Sequence, residues 1–269
     1  MRIPFVKAHG AKNDFLLTWA SDAPRDNLPA SARAICDRRT GVGADGWLLV
    51  RVPTEKPPEC EGVIRLFNAD GSEAEISGNG TRCAAAFLMD AALVKGDRVR
   101  ISTGAGVKHL RLLERHGLAY SFEMRMGVPA VAEGGLRFRL PLGSGERELS
   151  LLNLGNPQCA VFVDNLDFDW PTLGAEIEAH PLFPNRTNVS FVRLVDPHTL
   201  DVRFYERGVG VTMSSGTGST GAVAAAILRG LAQSPIRVLT PAGPLDIRWD
   251  DDIYMTGPAE IVAAGEYYL

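Results

Sequence analysis

The spacing of apolar residues changes several times along the chain. Short runs at Phe5–Val6, Phe15–Trp19, Trp47–Val52 and Val63–Asn68 have the crowded or alternating pattern of β-strands. Leu28–Arg38 has helical spacing, and Pro29 suits the first turn of a helix. Thr81–Val94 is rich in alanine and reads as a helix that Gly96 stops. Val99–Ser102, Lys108–Glu114 and Leu118–Met124 read as three more strands, and Cys159–Val163 and Asp201–Tyr205 repeat the pattern later. Strands interrupted by a few helices predict a mixed α+β class.

The two halves resemble each other. Ser77-Gly-Asn-Gly-Thr-Arg-Cys-Ala-Ala-Ala-Phe-Leu has a counterpart in Ser215-Gly-Thr-Gly-Ser-Thr-Gly-Ala-Val-Ala-Ala-Ala, 138 residues later. A weaker echo links Gly10-Ala-Lys-Asn13-Asp-Phe with Leu154-Gly155-Asn156-Pro157, each ahead of an apolar strand. Similar halves predict a duplication giving a pseudo-twofold pair of domains, against chance likeness of Gly/Ala-rich stretches as the alternative. The spacing puts the boundary near residues 115–125. We expect one domain at 1–118 and a second at 119–257, with residues 258–269 as candidates to return to the first.

Composition narrows the function. The chain has 269 residues, 45% hydrophobic and 22% charged, enough apolar material for a substantial core. Its net charge of −4 offers no basic surplus for phosphates, so we expect no nucleic-acid partner. The apolar run Ala222–Leu228 is far shorter than the roughly 18–20 residues of a membrane span, so no membrane partner is expected. Met1-Arg2-Ile3-Pro4 opens no secretory h-region. The cysteines at 36, 60, 83 and 159 form no C-x-x-C pair, which predicts a reducing cytoplasm rather than disulfides or zinc. The five histidines have no metal-ligand spacing, so no metal is expected.

The two S-G-x-G segments are the strongest chemical signal. Each stands before an Ala-rich helix, where glycines leave backbone amides uncovered and the helix N-terminus adds partial positive charge. Such a place holds an anion such as a carboxylate, with the serine beside it. Helix capping by Ser77 and Ser215 is the plainer alternative. Gly41-Val-Gly43-Ala-Asp-Gly46 matches G-x-G-x-x-G, but a helix precedes it and a strand follows, so it reads as a connecting loop rather than a dinucleotide site. Asn68-Ala-Asp70-Gly71-Ser72 is a turn sequence. Glu206 and Arg207, in a Gly-rich turn just before the second S-G-x-G, are either a solvated pair or a carboxylate grip.

Taken together, these segments resemble the diaminopimelate epimerase family over nearly the whole chain. The likeness rests on His9-Gly-Ala-Lys-Asn13-Asp14-Phe15, Asp37-Arg-Arg-Thr-Gly-Val-Gly-Ala-Asp45-Gly, Phe67-Asn68-Ala-Asp70-Gly71-Ser72, Ser77-Gly78-Asn79-Gly80-Thr-Arg82-Cys83, Leu154-Gly155-Asn156-Pro157, Thr187-Asn188-Val189, and Glu206-Arg207-Gly-Val-Gly with Ser215-Gly216-Thr217-Gly218. The resemblance implies an α+β fold of two pseudo-symmetric domains, each a curved mixed sheet around a central helix, enclosing the substrate. It implies a cofactor-independent epimerase or racemase of lysine and peptidoglycan biosynthesis, converting LL- to meso-diaminopimelate. Two acid/base groups would serve opposite faces of the α-carbon.

Carried over residue by residue, the catalytic positions are Ser77 and Ser215, with Glu206 as a candidate base. Asn13, Asn68, Asn156, Gln158, Asn188 and Arg207 would line the substrate, and the amides of Gly78, Asn79, Gly216 and Thr217 would hold its free α-carboxylate. A homodimer stays open. The chain departs from the family pattern at four places. Serines 77 and 215 stand where the family uses two cysteines, Gln158 replaces a usual histidine, and Gly46 a usual glutamine. A serine hydroxyl is far less acidic than a thiol and needs an adjacent base. The alternatives are therefore a divergent isomerase or dehydratase of another small carboxylic acid, or a non-catalytic amino-acid-binding homologue.

Overall fold

The computed structural model describes residues 1–54 and 59–269. The chain forms two compact units, Met1–Met124 with Gly257–Leu269, and Arg125–Thr256.

In the first unit, β1 (Arg2–Gly10) pairs antiparallel with β2 (Asn13–Trp19). Helix α1 (Leu28–Cys36) then crosses to β3 (Gly46–Arg51), which runs parallel to β2. Strand β4 (Gly62–Asn68) turns back antiparallel, followed by the short β5 (Glu73–Ala74). Helix α2 (Gly78–Asp90) crosses to β6 (Arg98–Thr103), parallel to β4, and β7 (Gly106–His116) and β8 (Ala119–Arg125) complete an antiparallel meander. Because β8 is zipped to β7, it stays with the first unit almost to its end.

The second unit runs through the same plan. Strands β9 (Phe138–Leu142), β10 (Gly145–Asn153) and β11 (Pro157–Phe162) pair in antiparallel order. Helix α3 (Trp170–Glu178) crosses to β12 (Asn188–Asp196), parallel to β11. Then come antiparallel β13 (Thr199–Glu206) and the short β14 (Gly210–Thr212). Helix α4 (Gly216–Leu228) crosses to β15 (Ile236–Thr240), parallel to β13, and β16 (Gly243–Trp249) and β17 (Ile253–Tyr268) close the meander. Beyond Thr256, β17 belongs to the first unit, pairing antiparallel with β1.

Both α2 and α4 are buried on nearly every side, each packed against several strands of its own unit. That is why neither sequence keeps a polar face, and why alanines 84–86 and 222, 224–226 are tolerated: small side chains let the strands close around the helix. In the first unit, Ile3, Leu16, Ile35, Trp47 and Phe67 form a core beneath α1, and the buried Trp47 indole donates to Thr18 Oγ1 at 2.9 Å. In the second unit, Leu140, Leu149, Val161, Ile177 and Phe191 do the same beneath α3.

Some element boundaries differ from the sequence reading. Helix α2 begins at Gly78 and ends at Asp90, well before Gly96. Its terminator is Ala92, at φ 55°, with Leu93 N–H donating to Leu88 O at 3.0 Å. In α4 the same closure uses Gly230, at φ 72°, and Leu231 N–H to Ala226 O at 2.9 Å. A non-glycine residue in this left-handed turn hides the stop signal from sequence. Helix α1 ends at Cys36, where Asp37 turns extended and its carboxylate accepts from Arg39 and Thr40. Helix α3 escaped the pattern reading, although Asp169 caps it and Pro171 lies in its first turn. Among the described residues no helix is long and apolar enough to cross a membrane.

Candidate active site

Ser77 and Ser215 are the N-caps of α2 and α4. Both have extended backbones, at φ −131° and −135°, and each hydroxyl oxygen accepts the N–H three residues on, from Gly80 or Gly218, at 3.1 Å. Space is tight at the glycine in that third position, more so at Gly218 than at Gly80. A Cβ on Gly218 would lie 2.9 Å from Phe204 Cδ1 and 3.0 Å from Ser215 Oγ, and one on Gly80 would lie 3.3 Å from Ser77 Cβ and Leu48 Cδ1. The amides of Gly78 and Asn79, and of Gly216 and Thr217, occupy the first two helical positions, where the helix itself supplies no acceptor. Together with the helix dipole they make an anion seat in each unit.

In the second unit, polar side chains converge on Ser215, which is only 2% exposed. Its hydroxyl donates to Glu206 Oε2 at 2.7 Å, and Thr212 donates to the other oxygen, Oε1, at 2.7 Å. With Gly218 N–H directed at the same Ser215 oxygen, the serine proton is aimed at the carboxylate. Around this pair, Gln158 Nε2 donates to Asn156 Oδ1 at 2.8 Å, and Asn156 Nδ2 reaches Thr217 Oγ1 at 3.4 Å. Asn188 donates to Pro157 O at 2.9 Å and accepts from Arg207 N at 3.1 Å, while the Arg207 guanidinium donates to Asn185 O at 3.1 Å.

The first unit is wired differently. Asn68 Nδ2 donates to Ser72 Oγ at 3.0 Å, within its own turn. Asn79 donates to Asn13 Oδ1 at 3.1 Å, and Asn13 donates to Asp45 Oδ2 at 2.7 Å. Behind Asn79 lies Arg82, fully buried, which donates to Asn79 Oδ1 at 2.5 Å and to Pro258 O at 3.0 Å. Burial lowers its pKa to about 10, so it is still a cation near neutrality. On the far side, Arg38 bridges Asp45 and Asp14 at 2.8 and 2.7 Å, and Lys7 lies 3.0 Å from Asp14. Burial would raise the Asp14 carboxyl, but the hydrogen bonds and charges of Arg38 and Lys7 outweigh it and hold the group below its usual range.

Cys36, Cys83 and Cys159 cannot stand in for the serines as ready thiolates. All four are free and buried. Burial pushes the Cys36 and Cys83 thiols up to about 12 and raises that of Cys159 as well. Among the described residues no group of three or more His, Cys, Asp or Glu side chains is placed to hold a metal ion.

Residues 5–131 and 150–262 match the family model described as diaminopimelate epimerase. The chain belongs to the diaminopimelate epimerase family. It is 39% identical to the diaminopimelate epimerase of Pelotomaculum thermopropionicum, with 98% of each chain covered. It is 38% identical to that of Teredinibacter turnerae over the full length of both. Among solved structures, it resembles a hydroxyproline epimerase from Agrobacterium vitis with TM-score 0.75 at 15% identity, covering 98% of this chain and 90% of that one. It also resembles a Bacillus anthracis phenazine biosynthesis protein, with TM-score 0.71 at 15% identity and full coverage of both. At such identities the likeness shows a shared α+β epimerase fold.

Within this family frame, the departure at Gly46 has a local structural reason. Gly46 opens β3 opposite Phe15 in the parallel ladder. A Cβ there would lie 3.0 Å from Phe67 O, 3.1 Å from Leu66 Cδ1 and 3.2 Å from Phe15 Cδ1, so the space for a side chain is already filled. Gln158 lies on β11 where Phe15 lies on β2, opposite Asn188 in the parallel ladder, and is 2% exposed. Sequence reasoning missed Thr212, whose partner is visible only after β14 folds back on β13. It also missed the depth of Arg82, which reads in sequence as one polar residue on an Ala-rich helix.

Proposed function

We propose that this protein is a cofactor-independent epimerase acting at an amino-acid α-carbon, with diaminopimelate as its substrate. The observation that carries the reading is the Ser215–Glu206 hydrogen bond at the N-terminus of α4. A hydroxyl alone is a poor base, but one whose proton is directed at a carboxylate can pass that proton on as it accepts another. The amides of Gly216 and Thr217 are placed to stabilise the substrate carboxylate, on which negative charge grows as the α-proton leaves. The amides of Gly78 and Asn79, beside Ser77, offer a seat of the same kind in the first unit.

In this reading Ser77 serves the other face of the α-carbon. Asn13, Asn68, Asn156, Gln158, Asn188 and Arg207 orient the ligand. The four buried thiols suit a reducing compartment, and we read the enzyme as cytoplasmic.

The test is incubation of LL-diaminopimelate with the protein in deuterated water, without added cofactor. Loss of the α-proton signal and slow formation of the meso isomer are expected. Calorimetric binding of diaminopimelate with no α-proton exchange would overturn the reading in favour of a binding homologue. Exchange confined to another small carboxylic acid would move it to a divergent isomerase.

A further inference from the structure

The two serines are equivalent as helix caps and unequal as bases. The offset of 138 residues that relates Ser77 to Ser215 also relates Leu66 to Phe204 and Ala74 to Thr212. The ladders confirm the match, since Leu66 pairs with Ala74 in the first unit and Phe204 pairs with Thr212 in the second. By the same register Asn68, the last residue of β4, corresponds to Glu206, the last residue of β13. The triad Glu206, Thr212 and Ser215 therefore has the counterpart Asn68, Ala74 and Ser77. An amide replaces the carboxylate and a methyl replaces the hydroxyl that steadies it. Among the described residues the Ser77 hydroxyl accepts from Gly80 N–H and donates to no carboxylate, while Asn68 is engaged by Ser72.

We propose that proton transfer in this protein is one-faced: the Ser215–Glu206 side removes and returns the α-proton quickly, and the Ser77 side delivers a proton slowly. This rests on the reading of the protein as an amino-acid epimerase. With a thiol at each position, both sides could act, because a thiol near pKa 8.5 needs no carboxylate partner to reach its basic form. With hydroxyls, the partner decides.

The step balances without another reagent. The α-proton passes to Ser215 Oγ as the serine proton passes to Glu206 Oε2, and the C–H electron pair remains on the substrate as a carbanion delocalised into its carboxylate. Glu206 is half-buried, so its proton can be replaced by one from solvent. Once Glu206 has lost its proton to solvent, its carboxylate takes the substrate-derived proton from Ser215 Oγ as that oxygen takes a proton from water, and reversal of the step then returns a solvent hydrogen to the same face, with configuration retained. Inversion needs Ser77 to give up its hydroxyl proton to the opposite face and be reprotonated by water.

The test uses LL- and DD-diaminopimelate separately, in deuterated water, with samples taken before 10% of the substrate has inverted. Mass spectrometry and chiral separation report where deuterium first appears. For the isomer whose α-hydrogen faces Ser215, deuterium is expected in the recovered starting isomer at least tenfold faster than inversion. Deuterium confined to the inverted product, for both isomers, would overturn the proposal while leaving the epimerase reading intact. Absence of exchange with either isomer would overturn both. The double variant Asn68→Glu/Ala74→Thr supplies the missing pair to Ser77 and is expected to raise inversion relative to exchange. An unchanged ratio in a variant with wild-type circular dichroism and melting temperature would also count against one-faced transfer.

Discussion

Thr212 Oγ1 lies 2.7 Å from Glu206 Oε1, the oxygen that Ser215 does not use. Each carboxylate oxygen thus has its own hydroxyl donor, and the carboxylate plane is fixed against rotation. Replacing Thr212 with valine keeps the shape and removes the donor. One hydrogen bond to a charged group contributes roughly 1.5–3 kcal/mol, so the α-proton exchange rate should fall about 10- to 100-fold. Thr212→Ser should restore it. Equal exchange rates in wild type and Thr212→Val would remove Thr212 from the account.

Cysteine at both cap positions should accelerate inversion. Residues 77 and 215 sit where a helix N-terminus lowers a thiol pKa, and a well-placed acid/base group contributes roughly 10²–10⁴-fold. Ser77→Cys alone should raise inversion more than Ser215→Cys alone, because Ser77 is the side without a carboxylate partner. The double variant should exceed both. A double variant that folds, binds diaminopimelate and inverts it no faster than wild type would refute thiol-limited chemistry and point to Gly46 and Gln158 as marks of another ligand.

Binding should depend on the charge of the α-carboxylates. The amides following Ser77 and Ser215 have no carbonyl partner within their helices, and each seat favours an anion. Converting both α-carboxylates of diaminopimelate to amides should weaken binding by one to two orders of magnitude in calorimetry, the scale of a lost charge-assisted hydrogen bond. Equal affinity for acid and amide would contradict the placement.

Arg82 is fully buried and ties α2 to the carbonyl of Pro258 and the side chain of Asn79. Arg82→Met preserves volume but leaves buried acceptors without donors, each costing roughly 1–3 kcal/mol. A total loss of roughly 2–4 kcal/mol corresponds to about 5–15 °C in melting temperature for a chain of this size. Calorimetry should show that drop. A shift under 1 °C would mean that water replaces the guanidinium at Pro258.

Much of this architecture is legible in the sequence because duplication makes the chain a control for itself. The shared S-G-x-G marks two helix starts, and the 138-residue offset holds through both helices to Ala92 and Gly230. The family likeness carries the fold because its glycines and asparagines sit at turns that fix the sheet connections. The end of α2 was hidden because alanine there adopts a conformation usually left to glycine. The wiring around the serines was hidden for another reason. Glu206, Thr212 and Ser215 meet only through the β13–β14 hairpin, and nothing in local spacing distinguishes Thr212 from a surface threonine. Serine at both cysteine positions reads in sequence as a symmetric loss; only the side chains around each hydroxyl show that the two positions differ.

The most direct test is the rate of diaminopimelate α-proton exchange in wild type and in Glu206→Gln. Glutamine keeps the size of the side chain and the acceptor for one hydroxyl, but it cannot take the Ser215 proton. The account predicts a fall of roughly 10²–10⁴-fold in exchange, the contribution of a general base, with circular dichroism and melting temperature close to wild type. Exchange at the wild-type rate in a folded Glu206→Gln protein would contradict the assignment of the Ser215–Glu206 pair as the group that removes the α-proton.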